Sequence, residues 1–271
     1  MKNNIRKKFI NLLLLEINKF NKHKKDKRGC AIKYSNKLIL SIIIDKFILG
    51  ITWRQTKDIK TNDNDIRYNT IYYRYKQLIK NNIIINAYEN LLKTYCIKID
   101  NSCAYIDSTS IINKYGYKKY TSFNNYVMKK HRTCKLSIIA SKNGIPLGIT
   151  LTNTLVHDVK LILNTLPKNI VFNKLCGDKG YIANDNLKNE LKKNYNIELI
   201  TPYRKYKNTL KNKENTLEEK KLLKSRYVVE HLNNFIKQNK QIQTRYIKNN
   251  DTFINYVYLA FIKRALEIFC P

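Results

Sequence analysis

The spacing of apolar positions changes character near residue 100. Before it, apolar residues recur at helical spacing. Leu38 to Leu49 reads as an apolar helix broken by Gly50, Trp53 opens a second segment, and polar residues 61–65 make a turn. Asn69 is placed to cap a third helix, Thr70 to Lys80, which carries Tyr72, Tyr73, Arg74, Tyr75 and Lys76. Helix, turn and a basic aromatic helix suit a helix-turn-helix module whose last helix enters a major groove. The same pattern suits a plain helical bundle with tyrosines in its core.

Beyond residue 100, short apolar runs alternate with amphipathic stretches. Cys103 to Asp107 is a short strand. Lys135 to Ser141 and Ile145 to Thr152 flank Lys142-Asn143-Gly144, a hairpin turn signal. His157 to Leu166 reads as a helix stopped by Pro167, Ile170 to Gly177 as a strand, Asn184 to Lys193 as a helix, and Ile197 to Thr201 as a strand stopped by Pro202. Residues 203–215 form a polar, basic loop. Residues 216–240 make one long helix, and Thr252 to Phe269 a final one. Strand, hairpin, helix, strand, helix, strand, helix is the order of an RNase H-like α/β domain, a mixed sheet flanked by helices. The expected organisation is a basic arm over 1–35, ending in His23-Lys24-Lys25-Asp26-Lys27-Arg28, a helical DNA-binding region over 36–98, and the α/β domain over 99–271.

Charge narrows the partners. Lys and Arg total 52 against 20 Asp and Glu, a net charge of +32 in 271 residues. A field of that sign favours a polyanion. Richness in Lys, Asn, Ile and Tyr is also what an AT-rich genome produces. The six cysteines show no Cys-x-x-Cys pair and no His/Cys ligand spacing, which argues against a zinc site or a disulfide framework. Phe9 to Leu15 is too short for a secretory signal and is interrupted by Glu16, and Phe253 to Ile262 is too short to cross a bilayer. A cytoplasmic protein is expected, or one of the nucleus or a viral factory in a eukaryotic host, not secreted and without a membrane or small-molecule partner.

The candidate chemistry rests on three carboxylates. Asp107 ends the apolar run Ala-Tyr-Ile-Asp-Ser-Thr, and Asp178 ends Leu-Cys-Gly-Asp, where Gly177 and Gly180 permit a tight strand exit. At about 100° per residue, Arg226, Glu230 and Lys237 fall at roughly 0°, 40° and 20° on a helical wheel, so two cations flank one carboxylate. Two strand-end carboxylates and a helical one suit divalent metal ions and phosphoryl transfer. Taken singly, Asp107 is equally a strand terminator, and Arg226 and Lys237 are equally surface cations paired with Glu230. Glu218 and Glu219 lie roughly 16–18 Å up the same helix, too far to share its ligands. His157-Asp158 fits a helix start.

Residues 102–270 resemble the DDE transposases of insertion sequences, in the grouping of insertion-sequence families four and five. Ile106-Asp107-Ser108-Thr109 is similar to the first catalytic motif and Gly177-Asp178-Lys179-Gly180-Tyr181 to the second. Arg226, Glu230 and Lys237, separated by three and six residues, are similar to the tyrosine-arginine-glutamate-lysine signature. Leu223 stands where the family often has the tyrosine. Residues 40–85, with Trp53-Arg54 and Asn69-Thr70-Ile71-Tyr72, resemble the family's N-terminal DNA-binding region. The resemblance implies a transposase that cuts phosphodiester bonds at element ends and transfers the strand into target DNA. It implies Asp107, Asp178 and Glu230 as catalytic metal ligands for Mg²⁺ or Mn²⁺, two ions in all. It further implies Arg226 and Lys237 on DNA phosphates near the cut, Arg54, Arg74 and Lys76 on DNA elsewhere, double-stranded DNA as partner, and a homodimer. An inactive DNA-binding descendant of a transposase, or a structure-selective nuclease of the same fold, fits the same residues.

Overall fold

The structure is a computed structural model that describes residues 3–22, 33–59, 66–123, 131–168, 172–203 and 214–271. The basic cluster at 23–28, the turn at 61–65, Met128 and most of the 203–215 loop lie outside the described residues. The chain divides into two compact units, Met1–Cys96 with Gln238–Pro271, and Ile97–Lys237. The last segment therefore joins the N-terminal helices, not the α/β unit to which the sequence pattern assigned it.

The first unit is helical. Residues 3–22, expected as part of a basic arm, form helix α1 (Asn3–Lys22), which buries Ile5, Phe9, Ile10, Leu13 and Ile17. Those positions recur every three or four residues, so one face is apolar although lysines dominate the rest. Arg6 clamps Asp45 of α2 (Asn36–Leu49) through two hydrogen bonds of 2.5 and 2.6 Å. Ser35 caps α2 by accepting from the Leu38 N–H, and Gly50 ends it at φ 64°, a left-handed conformation that glycine adopts at little cost. Helix α3 (Tyr68–Lys80) starts before Asn69, because the Arg67 carbonyl already accepts from Thr70 and Ile71. Asn69 is therefore a first-turn residue and not the cap. Helix α4 (Ile83–Thr94) packs against α1 and α3.

The second unit is the mixed α/β domain. Strand β1 (Ala104–Asn113) runs for ten residues, well past the short strand expected to end at Asp107. Strand β2 (Ser122–Phe123) and the hairpin of β3 (Arg132–Ser141) with β4 (Pro146–Asn153) follow, the hairpin turning at Gly144 with φ 80°. The segment after β4 is a 3₁₀ turn, Asp158–Leu161, and one turn of helix, α5 (Ile162–Thr165). Strand β5 (Lys174–Cys176), helix α6 (Asp185–Tyr195) and strand β6 (Glu198–Ile200) complete the sheet. β3 pairs antiparallel with β1 and β4, while β5 lies parallel between β1 and β6. This order sets the ends of β1 and β5 side by side, as an RNase H-like sheet requires.

The long helix expected over 216–240 is two helices, α7 (Leu217–Lys224) and α8 (Tyr227–Lys237). Thr216 and Glu219 form a reciprocal capping box that starts α7. The break falls at Ser225, whose hydroxyl donates back to the Lys221 carbonyl at 3.2 Å, a contact that competes with the helical ladder. Helix α8 buries Val229, Leu232, Asn233 and Ile236 and packs on β1 and β3.

The chain then returns to the first unit through α9 (Lys240–Gln243) and α10 (Asn250–Phe269), the latter capped by Asn249 and buried along most of its length. Cations are caught in that core, Lys46 among them. Lys46 of α2 is 2% exposed, its Nζ lies 4.6 Å from the Trp53 ring centre and 4.7 Å from that of Tyr256, and it donates to the Tyr256 hydroxyl at 3.4 Å. Burial pushes its ammonium down from the usual 10.5 to about 7, while the ring faces favour the charged form. Unfolding lets Lys46 bind a proton between those two values, so it makes the fold more stable as pH rises from about 7 to 10.5. Lys46→Met should raise Tm near pH 7 by roughly 2–4 °C, the shift that about 1 kcal/mol produces in a chain of this size, with the gain shrinking toward pH 10. A lower Tm for the variant at pH 7 would show that the rings outweigh the desolvation.

Candidate active site

Asp107 is the fourth residue of β1 and pairs across to Ile138 of β3. Its neighbours Ile106 and Tyr105 are fully buried, but β5 pairs with β1 only at Ala104 and Tyr105. Asp107 thus stands just past the end of the shorter strand, mid-strand in β1 yet open on the β5 side. Its side chain turns to the α8 face. The next residue, Ser108, turns to the other face and shares a 2.7 Å hydrogen bond with the buried Tyr181 hydroxyl. Burial, more than any neighbour, holds that phenol above its usual range.

Asp178 leaves β5 two residues after Cys176 and caps the 3₁₀ turn Lys179–Tyr181, accepting from the Gly180 N–H at 2.8 Å. The turn is tight enough to need both glycines. A Cβ on Gly177 would meet the Tyr181 side chain at 2.7 Å, and one on Gly180 would come within 3.0 Å of carboxylate oxygens of both Asp158 and Asp178. Asp158, read from sequence as a helix start, is N-terminal in its 3₁₀ turn and bound by Lys135 Nζ at 2.9 Å.

The break between α7 and α8 sets Arg226 at the head of the helix that carries Glu230. Arg226 Nη1 donates to Asp107 Oδ1 at 3.3 Å, and Nη2 donates to Glu230. One guanidinium thus bridges two of the three sequence-predicted carboxylates. Asn233 Nδ2 donates to the other Asp107 oxygen, Oδ2, at 2.8 Å. Lys237 is half-buried and interacts with Asp107; burial lowers its pKa and the carboxylate opposes that. Asn233 was missed in the sequence reading, although at about 100° per residue it falls near −20° on the wheel that joined Arg226, Glu230 and Lys237. Leu223, where a tyrosine was expected, is half-buried in the last turn of α7.

These contacts set the charge of Asp107. Its carboxyl is pushed up from 3.8 to about 6, first by burial, then by the like charges of Asp178 and Glu230, with Arg226 opposing. Asp178 and Glu230 are therefore its electrostatic neighbours. Even so, among the described residues no three carboxylate, imidazole or thiol groups gather closely enough to hold one ion. The common acidic pocket expected from the sequence is not closed in this arrangement, because Arg226 bridges Asp107 and Glu230 and Asp178 is turned onto its own Gly180 N–H.

The other cations predicted to meet DNA lie in the helical unit. Arg54 is exposed on the 3₁₀ turn Arg54–Asp58. Arg74 is half-buried and donates to Asn36, and Lys76 donates to Thr252 Oγ1 at 3.1 Å. Those two are held by the unit's own helices. The exposed residues of α3 include Tyr72, Tyr73 and Lys80, with Trp53 packed edge-on against Tyr72.

The sequence matches the transposase DDE domain family over residues 99–249, more than half of the chain. The chain belongs to the DDE transposase family. It is a DNA-cleaving, strand-transferring enzyme. No curated protein matches its sequence. Its fold is similar to that of piggyBac transposase, solved as a synaptic complex with hairpin DNA, at 9% identity and a TM-score of 0.51 over 99% of this chain and 72% of that one. A pre-cleavage Mos1 transpososome aligns at 9% identity over 92% of this chain and 84% of that one, with a TM-score of 0.27.

DDE transposase domains use divalent metal ions. The donor set of this transposase fits such ions in type, since carboxylate oxygens are the ligands that hard divalent cations prefer. It fits electrostatically as well. Asp107 feels the like charges of Asp178 and Glu230, which a cation relieves and Arg226 opposes here.

The raised carboxyl of Asp107 has a consequence for stability. The folded state binds a proton that the unfolded chain has already lost between pH 3.8 and about 6, so this group weakens the fold as pH rises through that range. Asp107→Asn in metal-free buffer should therefore stabilise the protein at pH 7.5, on the order of 1–2 kcal/mol after discounting for partial exposure, with the gain vanishing near pH 4. Denaturant melts at both pH values measure it. A variant less stable at pH 7.5 would mean that the Arg226 and Asn233 contacts outweigh burial.

Proposed function

We propose that Asp107, Asp178 and Glu230 are the catalytic carboxylates of this transposase and hold Mg²⁺ or Mn²⁺, two ions in all. The observation that carries this reading is Asp107 itself. It is a half-buried carboxylate beyond the end of the neighbouring strand, raised first by burial and then by the charges of Asp178 and Glu230, in a chain of the DDE family. Asp107, Asp178 and Glu230 would hold the ions, whose chemistry there would be activation of the attacking oxygen and stabilisation of the leaving one. The protein's own groups supply position. β1 carries Asp107, the turn that follows its neighbour β5 carries Asp178, and α8, which packs on β1 and β3, carries Glu230. Arg226 and Lys237 are cations beside Asp107, and a DNA phosphate that replaces both Asp107 and Glu230 as partners of Arg226 would free those two carboxylates for the metal.

The reaction is displacement at phosphorus. A water oxygen bonds to phosphorus as the bond to the 3′-oxygen of the element end breaks. That released 3′-hydroxyl then attacks a phosphodiester of the target and expels its 3′-oxygen. The net charge of +32 supports a duplex partner, and the piggyBac neighbour, solved with hairpin DNA as a synaptic complex, supports pairing of two ends by a homodimer. Arg54, Arg74 and Lys76 are assigned to DNA outside the cut. Arg54 is free to reach it as it stands, whereas Arg74 and Lys76 must first release Asn36 and Thr252.

Purified protein with DNA from the flanks of its gene tests the assignment. With Mg²⁺ or Mn²⁺ the wild-type chain should cut and join, and Asp107→Ala, Asp178→Ala and Glu230→Ala should each fall to background while still binding DNA. Undiminished cutting by a variant removes that residue from the mechanism. Cutting without joining points to a nuclease, and binding without cutting by the wild type to a DNA-binding descendant. Affinity should fall with salt at a log–log slope of about −0.9 for each phosphate contacted, and Arg226→Gln should flatten that slope by about one contact. A slope that is unchanged places Arg226 off the phosphates.

A further inference from the structure

Helix α8 contains one polar residue where its pattern calls for an apolar one. Val229, Leu232 and Ile236 are buried on the face that packs against β1 and β3, and Asn233 shares that face at 4% exposure. A buried amide with incomplete hydrogen bonding is destabilising. Asn233 is in that state: its Nδ2 donates to Asp107, but its Oδ1 is buried without a hydrogen-bond partner. Packing alone would favour leucine, which has nearly the same shape and no polar atoms.

What the amide provides is a fixed grip on one oxygen of Asp107. The two oxygens of that carboxylate have different partners. Oδ1 is bound by Arg226, whose guanidinium also serves Glu230 and sits at the half-buried junction of α7 and α8. Oδ2 is bound by Asn233, from within a packed helix face. Arg226 has a long side chain and a second carboxylate to hold, so its contact can be exchanged for a phosphate. Asn233 is short and enclosed, so its contact stays. We infer that Asn233 is a positioning residue for the transposase reaction: it anchors Oδ2 of Asp107 and fixes the plane of the carboxylate, leaving Oδ1 to the metal when Arg226 lets go. The inference rests on the proposed role of Asp107 and concerns how that role is maintained.

The test uses the full chain and two readouts, Mn²⁺ affinity without DNA by calorimetry, and nicking of plasmid DNA. Asn233→Leu should melt no lower than wild type, because the apolar face becomes continuous. It should nonetheless bind Mn²⁺ about tenfold more weakly and lower kcat by about 10–100-fold with KM for DNA unchanged, the range seen when a ligand loses its orienting partner. Asn233→His, whose ring N–H reaches to a similar point, should recover part of both losses. Asn233→Leu with wild-type Mn²⁺ affinity and kcat overturns the inference. So does a loss in both that simply follows the folded fraction measured by circular dichroism. If the wild type binds no Mn²⁺ and Asp107→Ala changes nothing, the metal assignment fails first and this inference falls with it, an outcome separate from a failure confined to Asn233.

Discussion

The site depends on keeping a charged carboxylate on a central strand of the β-sheet, just past the end of its shorter neighbour. Asp107 directly follows three core residues of β1, Ala104, Tyr105 and Ile106, and burial works against its negative charge. An isolated carboxylate there would take up a proton. It stays available because one short segment, from Arg226 to Lys237, supplies a guanidinium, an amide and an ammonium to the same group. Everything local to that segment serves the arrangement. The break at Ser225 starts a new helix at the right point, and the apolar face of α8 seats it on β1 and β3.

The second aspartate is held by different means. Asp178 depends on backbone geometry, a turn so close that Gly177 and Gly180 leave no space for a side chain, and it is tied to its own loop. Glu230 is the most exposed of the three and is fixed only through Arg226. The three carboxylates thus differ in how they are held, with Asp107 the most constrained and Glu230 the least. Arg226 acts as counter-cation to both Asp107 and Glu230. It also links metal and DNA in the proposed mechanism, since a phosphate that attracts Arg226 removes the cation from the carboxylates.

The helical unit shows the limits of reading cations by position. Arg74 and Lys76 lie on the basic aromatic helix that the sequence marked for DNA, and the fold uses both to bind α2 and α10. Lys46 is an extreme case, a lysine in an AT-biased composition enclosed by Trp53 and Tyr256. High charge in a chain is compatible with cations that never face solvent, because a long alkyl stem packs as an apolar group does.

By itself the sequence determined the order of the main strands and helices of the α/β unit, the three acidic motifs and the family. These are local or ordered signals: an Asn-Gly hairpin, prolines that stop elements, glycines around Asp178, a fixed spacing of Arg226, Glu230 and Lys237. It did not determine where elements end when the ladder or the packing partner decides. β1 runs on past Asp107 because β3 pairs with it along its whole length, and the 216–240 helix divides at a serine whose bond is to its own backbone. Nor did it assign residues 238–271 to the N-terminal helices, since burial of α10 depends on surfaces far away in sequence. Only the tertiary structure decided that Asn233 holds Asp107 and that Arg226 bridges Asp107 to Glu230. A side chain's partner across more than a hundred residues is set by which strand lies beneath its helix, and no local pattern encodes that.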